Sequence, residues 1–171
     1  MKLEKIFFKD VLLFKISKFF DKRGNFYENF NKKKLKKFIN KNFIIDAVSI
    51  NKKNVLRGLH YQTKYQQAKI VYVIKGQILD IVVDIRKKSK NYMEYKIIKL
   101  SDTNSRMIYI PPGFAHGFLS ITKEAIVAYK MSNHYKKDYE KTLNWNDKKI
   151  NIKIPKKYLK KIIISNKDSE K

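Results

Sequence analysis

From residue 43 onward the chain settles into a β rhythm, with short runs of apolar residues at alternate or successive positions separated by polar turns. Residues 43–50, 55–61, 69–75, 77–86, 95–100, 106–110, 117–121 and 125–131 each read as a strand. The run 77–86 alternates imperfectly, as a strand buried on both faces does, and it follows 69–75 across Gly76, which predicts a tight connection. Pro111 and Pro112 predict a turn before Gly113. Upstream, residues 6–20 carry shorter strand-like pieces. Phe19 and Phe20 lead through a turn at residues 22–25 into an alternating strand that runs to Phe30. Residues 33–40 are the best helix candidate, with Leu35, Phe38 and Ile39 as a narrow apolar stripe. After Ser132 the pattern loosens, leaving a strand-like piece at 150–154 and a last apolar group at 162–164. With no repeat or linker, this succession predicts one all-β domain over residues 1–171, a barrel or sandwich with short peripheral helices.

Composition fits that picture. In 171 residues, 43% hydrophobic and 13% aromatic content is ample for a core. The absence of cysteine excludes disulfides and thiolate metal sites. The apolar N-terminal pieces are short and broken by Lys9 and Asp10, so neither a signal peptide nor a membrane span is expected, and a cytoplasmic protein is the default.

Forty Lys plus Arg against 15 Asp plus Glu give a net charge of +25. Such a balance ordinarily favours a nucleic-acid partner. Here the lysines are scattered through every segment, and arginine, the usual fork for phosphates and bases, occurs only at positions 23, 57, 86 and 106. The excess reads as a composition bias whose field would help to capture an anionic small ligand. The alternative, a basic nucleic-acid binder, would carry a continuous basic stripe on one surface.

The densest chemistry lies between Arg57 and Lys69, where an arginine, a histidine, two tyrosines and a lysine precede an apolar strand. His60-x-Gln62, Lys69 and Gly76, followed by Pro111-x-Gly113-x-x-His116, resemble the two halves of the cupin signature. That likeness implies a double-stranded β-helix, or jelly-roll barrel, with the halves on facing strands and His60 and His116 pointing into its mouth. Metal-binding cupins have a second histidine and a carboxylate where Gln62 and Lys69 stand. An ammonium group repels a cation, so neither metal nor cofactor is expected. A histidine and a lysine in one cavity are instead equipment for proton transfer beside a group that becomes negative.

A wider set of residues resembles the dTDP-4-dehydrorhamnose 3,5-epimerase family: Asp21-x-Arg23-Gly24-x-Phe26-x-Glu28, residues 55–62, Asp84-Ile85-Arg86-x-x-Ser89, residues 110–118, Tyr129-Lys130 and Trp145-Asn146-Asp147. The resemblance implies a metal-free isomerase that inverts C3, C5 or both of a nucleotide-linked 4-keto-6-deoxyhexose. By the resemblance, His60 is the general base, Lys69 stabilises the enolate oxygen, Tyr129 returns a proton from the opposite face, and Asp168 hydrogen-bonds His60. Arg23, Phe26, Glu28, Arg57, Gln62, His116 and Tyr135 would bind the nucleotide sugar. Arg23 and Glu28 would come from an N-terminal segment that crosses to a partner subunit, implying a homodimer. His116 is open between substrate contact and bracing of its turn, Asp84 with Arg86 reads as a structural ion pair, and Trp145 as packing. One departure stands beside the likeness: Ile45 and Ala47 occupy positions where the family pattern has a Gln-x-Asn pair. Inversion at C3 alone, and a non-catalytic cupin that binds sugar nucleotides, are the alternatives. The latter would have His60 and Tyr129 facing apart or a plugged cavity.

Overall fold

The computed structural model describes residues 1–169. Its strands are β1 (Lys2–Phe7), β2 (Val11–Lys15), β3 (Phe19–Asp21), β4 (Gly24–Phe26), β5 (Ile45–Lys52), β6 (Leu56–Gln62), β7 (Lys69–Lys75), β8 (Gln77–Asp84), β9 (Tyr95–Ser101), β10 (Arg106–Ile110), β11 (Phe114–Ser120), β12 (Glu124–Met131) and β13 (Glu140–Thr142). Two one-turn helices, α1 (Lys32–Leu35) and α2 (Asn166–Ser169), lie outside them. One sheet has the order β1-β2-β10-β7-β12-β5, the other β13-β6-β11-β8-β9, and β3 and β4 form a separate ribbon. From β5 to β8 the chain changes sheet at every step, and it does so again from β9 to β13, all pairs being antiparallel. This is the cupin-type jelly roll expected from the sequence.

Burial accounts for the apolar patterns. Val71, Val73, Val82, Ile108, Phe118 and Val127 fill the space between the sheets. The outer face of the larger sheet is covered by Leu35 and Ile39, and that of the smaller one by Ile150 and Ile154. Strand β8 is therefore buried on both faces, as its imperfect alternation suggests.

Gly76 is not the tip of a hairpin, because β7 and β8 lie in different sheets. It turns the chain from one sheet into the other at φ +81°, and a Cβ there would stand 2.2 Å from the Glu124 carbonyl oxygen. Spacing along a chain sets how tight a connection is, but the hydrogen-bonding partner depends on the whole sheet. The strand expected to run to Phe30 stops at Phe26. The helix expected over 33–40 is a single turn, capped by Asn31, whose side chain accepts from the Lys34 N–H at 3.0 Å. Three lysines fill that turn without an acidic residue, a poor match to the positive end of a helix. Strand β11 begins at Phe114 rather than residue 117, and residues 150–154 are irregular although Ile150 and Ile154 are buried. Among the described residues no helix is long and apolar enough to cross a membrane.

Candidate active site

A cavity of about 380 Å³ lies between the sheets. Its wall from the five-stranded sheet carries Arg57 and His60 of β6, His116 and Phe118 of β11, and Glu140 of β13. The opposite wall, from the six-stranded sheet, carries Ala47, Val48 and Ser49 of β5, Lys69 of β7, and Tyr129 and Met131 of β12. His60 and Tyr129 thus meet one cavity from opposite sides. His60 and His116, expected on facing strands, are instead direct cross-strand neighbours in one sheet.

The C-terminal segment closes over β6. Val55 and Ile163 form a parallel bridge, and the Leu56 N–H donates to the Ile163 carbonyl at 2.9 Å. This brings α2 against β6, where Asp168, only 4% exposed, meets His60 Nε2 through Oδ1 at 2.5 Å. Its Oδ2 accepts from the Gly58 N–H at 3.2 Å. Because a carboxylate only accepts, His60 Nε2 carries the hydrogen and Nδ1 is left with the lone pair. Gly58 makes the arrangement feasible. At φ +105° it crosses β11 so closely that a Cβ would lie 2.7 Å from Gly117 Cα.

Lys69 opens β7 at the rim of the inner core. Burial pushes its amine down to about 8, while Glu140 and Asp80 pull in the other direction. His116, nearly buried, meets Asp80 Oδ2 through Nε2 at 2.8 Å. The second oxygen of the fully buried Asp80 has no hydrogen-bond partner among the described residues. Burial pushes the Tyr129 phenol up, and a 2.9 Å hydrogen bond with Ser49 Oγ works against the shift. For Glu140, burial works to raise the carboxyl, but hydrogen bonds from Lys167 and Tyr135 outweigh it and hold the group below its ordinary value.

Other sequence-selected residues divide. Arg57 donates from Nε to Asn51 Oδ1 at 2.7 Å and lines the cavity. Tyr135 also lines it, with its hydroxyl donating to Glu140 at 2.8 Å. Gln62 borders a smaller adjoining pocket, but its carboxamide is committed to backbone. It donates to the Tyr65 carbonyl at 2.7 Å and accepts from the Lys136 N–H at 2.6 Å, so it braces a loop instead of presenting a free polar group. Arg23, Phe26 and Glu28 do not line this chain's cavity. Arg23 pairs with Asp21 inside the β3–β4 ribbon, Phe26 is 70% exposed, and Glu28 pairs with Lys34. Asp84 and Arg86 form an ion pair at 2.6 Å, and Trp145 packs against the outer core.

The donor set does not suit a divalent cation. Each of the two cavity histidines has Nε2 on an aspartate, the Gln62 oxygen is occupied, and Lys69 is basic. Sequence reading missed Asp80, Glu140, Ser49 and Asn51. Asp80 did leave a signal, an acidic residue inside an otherwise apolar strand of the core.

Comparisons with known proteins place the chain among relatives that match it over most of its length. The family model described as dTDP-4-dehydrorhamnose 3,5-epimerase matches residues 5–171. The dTDP-4-dehydrorhamnose 3,5-epimerase of Methanothermobacter thermautotrophicus is 42% identical over 149 residues, covering 86% of this chain and 80% of that one. A crystal structure of the enzyme of that name from Bacillus anthracis, with TDP and PPi bound, superposes with a TM-score of 0.93 at 36% identity, covering 98% of this chain and 95% of that one. The dTDP-6-deoxy-D-glucose-3,5-epimerase of Legionella pneumophila, in complex with dTDP-4-keto-L-rhamnose, gives 0.91 at 34% identity, covering 98% and 88%.

Proposed function

The chain belongs to the dTDP-4-dehydrorhamnose 3,5-epimerase family, and from that premise we propose that it inverts carbons flanking the ketone of dTDP-4-dehydro-6-deoxy-D-glucose by a base on one face of the sugar and an acid on the other. The observation that carries this reading is the placement of His60 and Tyr129 on opposite walls of one cavity. Inversion requires that arrangement, whereas a binding module does not. Hydrogens on carbons next to a ketone are weakly acidic. His60 Nδ1 takes one of them, the C–H electron pair moves into an enolate, and the Lys69 ammonium neutralises the charge on the former keto oxygen. Tyr129 then gives its hydroxyl proton to the carbon from the other side. Asp168 holds the His60 ring in the tautomer this needs. Arg57 and Tyr135 line the same cavity and are suited to the diphosphate and nucleoside.

The test is deuterium exchange. In D2O the purified protein is expected to place deuterium at C3, C5 or both of dTDP-4-dehydro-6-deoxy-D-glucose, with the position read by NMR. No exchange into this sugar or its GDP, UDP and CDP counterparts would sink the reading. Label confined to C3 would mark a C3 epimerase.

A homodimer completes the proposal. The β3–β4 ribbon exposes Phe19, Phe20 and Phe26 at 66%, 76% and 70%, and an isolated two-stranded ribbon is marginal in water. The edge strand β5 exposes Val48 and Ile50 at 57% and 67%. A second copy covering these surfaces would bring Arg23 and Phe26 to the partner's cavity. Sedimentation is expected to give twice the 20.5 kDa chain mass. Arg23→Ala is expected to raise KM while leaving kcat within a few-fold. A monomer with full activity would refute this arrangement.

A further inference from the structure

Tyr129 sits on β12 opposite Ala47 of β5, and its ring reaches diagonally to Ser49, two hydroxyl oxygens standing 2.9 Å apart. That distance alone leaves the direction of the hydrogen bond open. Asn51, 1% exposed and next but one along β5, bears on it. Arg57 Nε can only donate, so the Asn51 atom 2.7 Å from it is the carbonyl oxygen. The amide nitrogen of Asn51 then faces the Ala125 carbonyl at 3.1 Å, the Ser49 carbonyl at 3.2 Å and Ser49 Oγ at 2.9 Å. Carbonyl oxygens only accept, so the Asn51 orientation agrees at both ends. Ser49 Oγ accepts from Asn51, and among the described residues the acceptor within reach of its own hydrogen is its other neighbour, the Tyr129 oxygen.

We infer that Arg57, Asn51 and Ser49 form a one-way relay of hydrogen bonds that makes the Tyr129 oxygen an acceptor and leaves the Tyr129 hydrogen for the cavity. Ser49 and Asn51 are positioning residues for proton delivery. The inference rests on the reading of Tyr129 as the acid. Among the described residues the Tyr129 hydroxyl has no other hydrogen-bond partner, and burial favours its protonated form. When the phenol proton passes to the enolate carbon, the electron pair of the enolate double bond forms the new C–H bond. The O–H pair stays on the oxygen as a phenolate, which the Ser49 hydroxyl is already placed to meet. The proton lost by the substrate rests on His60, and solvent resets both groups.

The relay acts on one half of the reaction, and that makes it separable from a structural role. In D2O, the enolate formed by His60 either returns with label on the original face or is inverted through Tyr129. Proton NMR of dTDP-4-dehydro-6-deoxy-D-glucose during turnover measures both. Ser49→Ala removes the donor to Tyr129. Asn51→Asp keeps the acceptor for Arg57 but presents an oxygen to Ser49, turning the serine hydrogen away from Tyr129. In both variants the ratio of labelled, uninverted sugar to inverted sugar is expected to rise about tenfold, the scale of one lost hydrogen bond. Tyr129→Phe should raise it further, and Ser49→Thr, which keeps the hydroxyl, should restore it. Equal losses of exchange and inversion in Ser49→Ala and Asn51→Asp, or no change in the ratio, would overturn the relay. Absence of exchange in the unsubstituted protein would instead overturn the functional reading on which it rests.

Discussion

Replacing His60 with alanine is expected to lower both deuterium exchange and inversion by roughly a hundred- to ten-thousand-fold, the range of a positioned general base. Both observables fall together because enolate formation precedes any choice of face. This separates His60→Ala from the Ser49 and Asn51 variants, which change the partition after the enolate has formed. The fold should survive the substitution. His60 is only partly buried and caps no core cluster, and Asp168 keeps its bond from the Gly58 N–H at 3.2 Å. Far-ultraviolet circular dichroism and a urea midpoint near that of the unsubstituted protein would verify this. Appreciable exchange in His60→Ala would identify a different base, with His116 as the first candidate because it lines the same cavity.

Lys69→Met is expected to separate activity from stability. Turnover should fall by roughly a hundred- to a thousand-fold, the scale of losing one preorganised donor to a developing oxyanion. Stability at pH 7 should rise. The Lys69 amine is pushed from its ordinary value of 10.5 down to about 8 in the folded protein. The unfolded chain therefore binds the proton more tightly than the folded one, and stability grows with pH between those two values. Below about 8 the folded protein carries the full cost of a buried ammonium, on the order of a few kcal/mol. Methionine removes that cost at similar volume. Urea titrations should show the variant more stable than the parent at pH 7, with the gap closing by pH 11. With Lys69 in the proposed role, the same shift is expected to set an alkaline limit on the reaction. The parent's turnover should decline as pH rises through about 8, where the ammonium that meets the enolate is lost. A variant as active as the parent, or one that is less stable at pH 7, would count against Lys69 as a buried electrostatic partner.

These effects arise from a barrel whose two walls differ in kind. The five-stranded sheet supplies two histidines, each fastened at Nε2 by an aspartate, while the six-stranded sheet supplies an amine and a phenol. The departure at Ala47 falls in the second wall, opposite Tyr129 in register. The methyl group there offers no hydrogen bond, and the tyrosine hydroxyl meets Ser49, two residues along the same strand.

Much of the molecule is legible in the sequence. Alternation along each strand reports burial, so the strands β5 to β12 could be found, and the twofold burial of β8 left its own pattern. Of the residues brought to the cavity, His60, Lys69 and Arg57 also stand out by type and spacing, while Tyr129, one of 11 tyrosines, is marked by the resemblance. Asp168 was legible only through resemblance, because 108 positions separate it from His60 and the C-terminal contacts join them. Tertiary structure alone decided which strands are neighbours. It put His60 beside His116 rather than across from it, made Gly76 a corner between sheets, and committed the Gln62 carboxamide to backbone. It also fixed the orientation of the Asn51 carboxamide, because donor and acceptor roles follow from every partner a group meets, and Arg57 and Ala125 come from other strands.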